Sequence, residues 1–253
     1  MAQYGFGAGV LVGTAQSDAA GNAIAAPTPI QFGIMQEASV DFSFDIKELF
    51  GQYQFPVAIG RGKGKIAGKS KFAQLNGLTI NSLFFGQTLL SGEIGEVIDT
   101  TGTAIPATPF TITPTVPNSG TWTNDLGVLD PNGLPMTRVV SGPTAGQYSV
   151  SAGAYVFAAA DTGKVVRISY QYTATSTTKK KLAISNVLMG YAPQFRADLL
   201  VPYGGKQFVL TLPACIGTKL SFATKLDDFM VPEFDFSAFA DAAGNVAYLA
   251  TSE

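Results

Sequence analysis

Residues 37–51 read EASVDFSFDIKELFG, and residues 56–74 read PVAIGRGKGKIAGKSKFAQ. In an extended chain successive side chains point to opposite faces. Ala38, Val40, Phe42, Phe44 and Ile46 therefore fall on one side of the first stretch, and Glu37, Ser39, Asp41, Ser43 and Asp45 on the other. The second stretch alternates with opposite sign: Arg61, Lys63, Lys65, Lys69 and Lys71 share one parity, against Gly62, Gly64, Ile66, Gly68, Ser70 and Phe72. Two long segments of period two, one acidic and one basic, predict an amphipathic hairpin. Symmetric pairing about Gly51 sets Asp41 opposite Arg61 and Glu37 opposite Lys65, with Lys63 across from Ser39. The intervening KELFGQYQFP, residues 47–56, is too long for a two-residue turn. It carries Leu49, Phe50, Tyr53 and Phe55, so a projecting, partly apolar loop is expected there.

Working outward, 28 Gly and 14 Pro punctuate short stretches rich in Val, Ile, Thr, Phe and Tyr, which reads as many strands joined by turns. The fold class expected is mainly β, with long hairpins. One helix is expected at 76–85, with Asn76 as N-cap, Leu78, Ile80, Leu83 and Phe84 as its apolar positions, and Gly86 as its stop. Composition shifts near residue 98 into TTGTAIPATPFTITPTVPNSGTW and again at TATSTTKKK before Leu182. These shifts predict a discontinuous core, 1–97 with 182–253, and a β-rich insertion at 98–181. The pentamer DAAGN stands at 18–22 and again at 241–245, too short for a repeat and suited to two similar turns.

The composition excludes much chemistry. The chain has 253 residues and contains no His, which removes His general bases, Ser-His and Cys-His pairs and His-ligated metal sites. The lone Cys215 makes neither an internal disulfide nor a thiolate cluster, and its setting in LPACIG suits a small buried apolar side chain. Gly68-Lys69-Ser70 lacks the preceding Gly of a phosphate loop, since Lys63 stands there. Gly62-Lys63-Gly64 with Ala67 matches a loose dinucleotide pattern but sits in a strand with no helix opening after it. Asp125, Asp130 and Asn132 lack the spacing of a calcium loop, and Asp227-Asp228 suits a loop better than a catalytic pair. No enzyme activity, cofactor or metal is expected.

Lys plus Arg is 16 and Asp plus Glu 18, a net charge of -2, so general nucleic-acid affinity is not expected. Charged residues are 13% of the chain and apolar ones 46%, which leaves little charge to solvate the surface. No run approaches a membrane span, and no Lys or Arg precedes Lys47 to flank a signal peptide. A soluble chain that assembles with itself fits these facts. Eight of the 34 charged residues lie on one predicted hairpin face.

The order of these features resembles the tail tube, or major tail, proteins of tailed bacteriophages. The resemblance covers residues 1–95 and 182–253 and rests on the two hairpin strands, on LTINSLFFG at 78–86 and on FMVPEFDFSAFADAAGNVAYLA at 229–250. The middle segment looks like β modules of phage structural proteins, either a separate lobe or an extension of the core sheets. The resemblance implies a β-sandwich or barrel with one short flanking helix, in a structural virion protein assembled in the host cytoplasm, whose long hairpins join in six-membered rings that stack into a tube. Double-stranded DNA crosses that tube without specific binding, and tape-measure, tail terminator and tip proteins are implied partners. Glu37, Ser39, Asp41, Ser43, Asp45, Arg61, Lys63, Lys65, Lys69 and Lys71 would then line the bore, and Leu49, Phe50 and Tyr53 would reach the next ring. Val40, Phe42, Phe44 and Ile46 would pack on the sandwich, because apolar burial contributes about 25 cal/mol per Å². Five basic and three acidic residues would make that wall mildly positive unless pairing neutralises the lysines or some of them face a neighbouring subunit. Two other readings are a phage decoration or capsid-surface protein, and a carbohydrate-binding β-sandwich using Trp122, Tyr148 or Tyr155.

Overall fold

The structure is a computed structural model that describes residues 4–74 and 76–252, so the extreme ends of the expected core, 1–3 and 253, lie outside the described residues. Strands take up 52% of the chain and helix 6%, which makes the fold mainly β. Two compact units divide it, Met1–Leu89 with Leu182–Glu253, and Leu90–Lys181. In chain order the first unit contains β1 (Val10–Ala15), β2 (Pro29–Gln31), β3 (Met35–Phe50), β4 (Pro56–Phe72) and the helical turn α1 (Gly77–Ile80). The strand β5 (Leu89–Ser91) leads to β6 (Glu93–Val97), β7 (Thr103–Ala104), β8 (Thr111–Ile112), β9 (Thr121–Leu129), β10 (Thr137–Arg138), β11 (Gln147–Ser151), β12 (Ala154–Phe157) and β13 (Val165–Ala174). Strand β14 (Lys180–Leu182) pairs with β5, and the chain closes with β15 (Gln194–Tyr203), β16 (Lys206–Ser221), β17 (Glu233–Ala238) and β18 (Tyr248–Thr251).

The strands of the first unit form one eight-stranded sheet, in the order β2-β1-β15-β16-β17-β4-β3, with β18 added beside β16. Its apolar face is read directly from alternation: Phe234 and Phe236 of β17, Ile66 and Phe72 of β4, and Leu210 and Leu212 of β16 are all buried in one cluster. Leu11 of β1 belongs to the same cluster although β1 lies near the opposite end of the sheet, so the sheet curls around its core. Phe32 closes the curl: it follows β2 at one edge and meets Phe72 edge-on at 5.3 Å between ring centres. Strand β16 runs through LPACIG, a stretch without obvious strand pattern, because Pro213 falls at a bulge opposite the step from Phe195 to Ala197, where no ladder N–H is needed.

The helix forms where expected, in two parts. The Asn76 side chain accepts from the Leu78 N–H at the start of α1, the next residues, Asn81–Phe85, continue as a wider π turn, and Gly86 ends it in the left-handed conformation at φ 59. Leu83 reaches the sheet beside Gly13, where a Cβ would stand 2.4 Å from it, so that glycine is the socket for the helix. The two DAAGN pentamers adopt the same turn: Asp18 and Asp241 each accept at Oδ1 from the N–H groups two and four residues on.

The second unit has its own core, built on Tyr148, Tyr155, Phe157, Val166, Ile168, Tyr170 and Tyr172. It begins at Leu90, not near residue 98, because β6 pairs with β13 from Glu93–Ala174 to Val97–Tyr170. The composition shift marks the end of a strand that already belongs to the insertion.

Phe234 touches the rings of Phe32, Phe84, Phe195 and Phe236, with centres 5.5–6.0 Å away. Phe234→Ala is expected to cost about 3–5 kcal/mol in urea unfolding. Phe229→Ala, at a position 88% exposed, should change stability by no more than about 0.5 kcal/mol in the same assay.

Candidate functional site

The hairpin of β3 and β4 is the feature whose chemistry the core does not use. Its turn, residues 51–55, centres on Tyr53 and not on Gly51, so the register differs from symmetric pairing about Gly51. Glu37 pairs with Lys71, Ser39 with Lys69, Asp41 with Ala67 and Ser43 with Lys65. The expected opposition of Asp41 to Arg61, Glu37 to Lys65 and Ser39 to Lys63 does not occur, because the turn centres two residues later than Gly51 and the bulges at Leu49–Phe50 and Phe44–Ile46 each insert one further residue into β4.

A bulge between Phe44 and Ile46 changes the faces as well. Gly62 and Lys63 lie together opposite Asp45, and beyond them Arg61 is paired with Ile46. The Arg61 guanidinium carbon sits over the Phe44 ring, 4.6 Å from its centre. Arg61 therefore belongs to the apolar face, a correction to its expected place beside the lysines; one extra residue in a strand moves everything after it to the other side.

Cover is the second correction. Ala38 and Val40 pack against the core, but Phe42, Phe44 and Ile46 are 48%, 49% and 63% exposed. They do not rest on the sandwich, because β17 pairs with β4 only from Glu233–Lys71 to Ala238–Ile66. Past Ile66 the hairpin is a two-stranded ribbon about 30 Å long at roughly 3.3 Å per residue. Its even face presents Phe42, Phe44, Ile46, Phe50 and Ile59, all exposed, interrupted by Glu48 across from Ile59. Near the end Leu49 stands across from Ala58 on the other face, and Tyr53 and Phe55 are exposed in the loop, so the tip is apolar on both sides.

The polar face is charge-balanced at its base. Lys71 donates to Glu37 at 2.6 Å; Glu233 of β17 accepts from Lys69 and, at 2.9 Å, from Lys219 of β16. Asp235 lies between Lys69 and Lys219 in the ladders. Sequence reasoning about two strands missed Glu233, Asp235 and Lys219. The signal was present in EFDF at 233–236, whose acids alternate with buried Phe as those of β3 alternate with Phe. With them, four acids (Glu37, Asp41, Glu233, Asp235) stand with three bases (Lys69, Lys71, Lys219) on the part of this face that belongs to the sheet, which offsets the basic excess of the hairpin alone. Farther out, Asp41, Asp45, Lys63 and Lys65 form no ion pair among the described residues.

The second unit uses its charges differently. Asp125, with a nearly buried side chain, accepts from the hydroxyls of Tyr148 at 2.7 Å and Tyr155 at 3.2 Å, and Trp122 donates its ring N–H to Tyr155. Tyr148 and Tyr155 are core residues, so they are not the exposed sugar-stacking platform expected of a carbohydrate-binding sandwich. Burial pushes both phenols up, and it pushes the Cys215 thiol of the first unit up to about 12. Among the described residues, no group of three or more His, Cys, Asp or Glu could hold a metal ion, and no helix is long and apolar enough to cross a membrane. No protein-family model and no curated protein matches the chain.

The lysines flanking Glu233 hold its carboxyl down to about 2 from an ordinary 4.5, hydrogen bonding from Lys69 being the largest cause. A depressed carboxylate contributes stability that is present above its unfolded value and lost as pH falls through the folded one. Unfolding free energy should therefore decline between about pH 4.5 and 2, and Glu233→Gln should flatten that decline while lowering stability at pH 7. An equally steep acid limb in the variant would show that another carboxylate controls it.

Proposed function

We propose that this chain is a self-assembling structural protein of the phage tail-tube type, with no reaction chemistry of its own. The observation that supports the reading is the hairpin ribbon: an apolar face on which no other described strand packs, a polar face of mixed charge at its base, and two edges without a strand partner among the described residues. The outer edge of β3 is unpaired along the sheet, and β4 loses its partner beyond Ile66. A ribbon with both edges open can pair β3 of one copy with the distal part of β4 in the next. Repeated head to tail, that contact closes a ring when the rotation per copy divides a full turn. Closure satisfies the open backbone groups and turns the ribbons into a barrel.

In that barrel the apolar side packs on neighbouring subunits and the polar side, Glu37, Ser39, Asp41, Ser43, Asp45, Lys63, Lys65, Lys69 and Lys71, faces the water-filled bore. A wall whose lysines are matched by acids offers passing phosphates little net attraction, which suits a conduit for DNA better than a binder. On this reading Arg61 belongs to the subunit interface, where its guanidinium already covers Phe44. Six-membered rings, a place in the virion, and contacts with tape-measure, terminator and tip proteins belong to the same proposal.

Negative-stain microscopy of the purified chain tests it: rings or tubes are expected, and discrete monomers at high concentration sink the reading. Phe42→Ser with Phe44→Ser should leave the first unit folded, since both side chains are about half exposed, yet shift sedimentation to the monomer. Replacing Glu37 and Asp41 with Lys should permit rings but slow DNA passage at low salt, with relief on adding salt; passage at the unaltered rate would remove the bore assignment.

A further inference from the structure

The registers place two exposed apolar features at opposite ends of the first unit. Ser221, Glu233, Lys71 and Glu37 stand side by side across β16, β17, β4 and β3. The loop at 222–230 therefore leaves the sheet at the base of the hairpin, while the tip at 49–55 lies at the far end of the same strands. This loop is as bare as the tip: Leu226 is 98% and Phe229 88% exposed, with Phe222 half exposed beside them. Ile34, at the same base end, is exposed while held at φ 42, a conformation a β-branched residue adopts only at a cost.

We propose that the 222–230 loop is the receiving surface for the hairpin tip of a second copy, so that copies join base to tip along the hairpin axis. This rests on the self-assembly reading and adds to it the partner surface for growth in the axial direction. Charge supports the match. Lys225 pairs with Asp228 at 3.8 Å, and among the described residues Asp227 at the loop's end forms no ion pair, nor do Lys47 and Glu48, which lie on opposite faces beside the tip, so Lys47 is the group that Asp227 would meet. Phe50, Tyr53 and Phe55 meeting Phe222, Leu226 and Phe229 would form an aromatic-rich centre with an ion pair at its rim, the usual anatomy of a contact with few dominant residues. The contact is heterologous, so it does not close on itself and continues from copy to copy. A single such contact is small, but a ring makes several at once, and the later ones form at high effective concentration.

The test uses two exposed double variants, Phe50→Ser with Tyr53→Ser at the tip and Leu226→Ser with Phe229→Ser at the base, each checked for unchanged urea unfolding. Each alone should give single rings, with tube yield reduced at least tenfold. Mixed in equal amounts they should give paired rings and nothing longer, because one intact tip then meets one intact loop. Asp227→Lys should lower tube yield several-fold, with recovery when Lys47→Asp is added. Normal tubes from the base variant, or only single rings from the mixture, would overturn the inference while leaving the ring reading intact. Tubes stopped instead by Leu188→Ser with Tyr191→Ser, in the open groove at 185–191, would reassign the receiver and also overturn it. Absence of rings in the unaltered chain would overturn the self-assembly reading itself and this inference with it.

Discussion

A strand that is apolar on one face needs a layer against that face, and the sheet supplies this to the long hairpin only as far as the pair Ala238 with Ile66. On the near side of that pair Ile66, Gly68, Ser70 and Phe72 are buried, and Gly68 lies so close under Phe236 that a Cβ there would stand 2.1 Å from the ring. On the far side the same alternation continues with nothing beneath it. The ribbon makes partial cover locally: Phe44 lies over Gly64, where a Cβ would meet its ring at 2.9 Å, and Arg61 lies over Phe44. A cation over an exposed ring contributes about 0.5–1 kcal/mol, far less than burying the strip would. Two strands alone are marginal in water, so the ribbon's order comes from the sheet that anchors its base.

The polar face solves a related problem of register. Exposed pairs contribute little each, about 0–1 kcal/mol, so Lys71 with Glu37 and Lys69 with Glu233 do not hold the sheet together. They do distinguish one alignment of β17 on β4 from its neighbours, because a slip of one residue would set Phe234 and Phe236 in water and the acids in the core. Burial selects the face; charge reinforces the alignment within it. The carboxyl of Glu233, bracketed by two ammonium groups, belongs to both strand contacts at once.

Much of this was legible in the residues. The period of two over EASVDFSFDIKELFG located β3, its faces and its apolar end, and Asn76 and Gly86 bounded the helical turn. What escaped is what local pattern does not encode. The Phe44–Ile46 bulge has no signature in GRGKGK beyond its glycines, yet it transfers Arg61 to the other face. The turn's centre depended on how many residues of an apolar loop would join the strands. The cover over Phe42 depended on the length of β17, a strand more than 160 residues away in the chain. Trp122, Tyr148 and Tyr155 could equally have lain outside or inside; Tyr148 and Tyr155 lie in the core of the second unit with their hydroxyls on Asp125, and Trp122, partly buried, packs against it and donates to Tyr155.

The insertion and the bare ribbon pose opposite demands on one chain. The insertion leaves and returns through adjacent strands, β5 beside β14, and its buried carboxylates have nearby partners: Asp161 with Lys164, Glu93 with Lys179 and Tyr172. The hairpin is the reverse, with long open edges and apolar side chains that invite indiscriminate pairing. Natural sheets protect such edges with charge and irregularity. Here the bulges at Phe44–Ile46 and Leu49–Phe50 interrupt a uniform ladder, and Asp41, Asp45, Lys63 and Lys65 stand along it with no ion pair among the described residues. A partner strand in the wrong register would set like charges opposite one another or leave them desolvated. The charges that add almost nothing to the stability of the single copy therefore restrict which second strand can lie beside it, and on the assembly reading the strand that meets that restriction is another copy of the same hairpin.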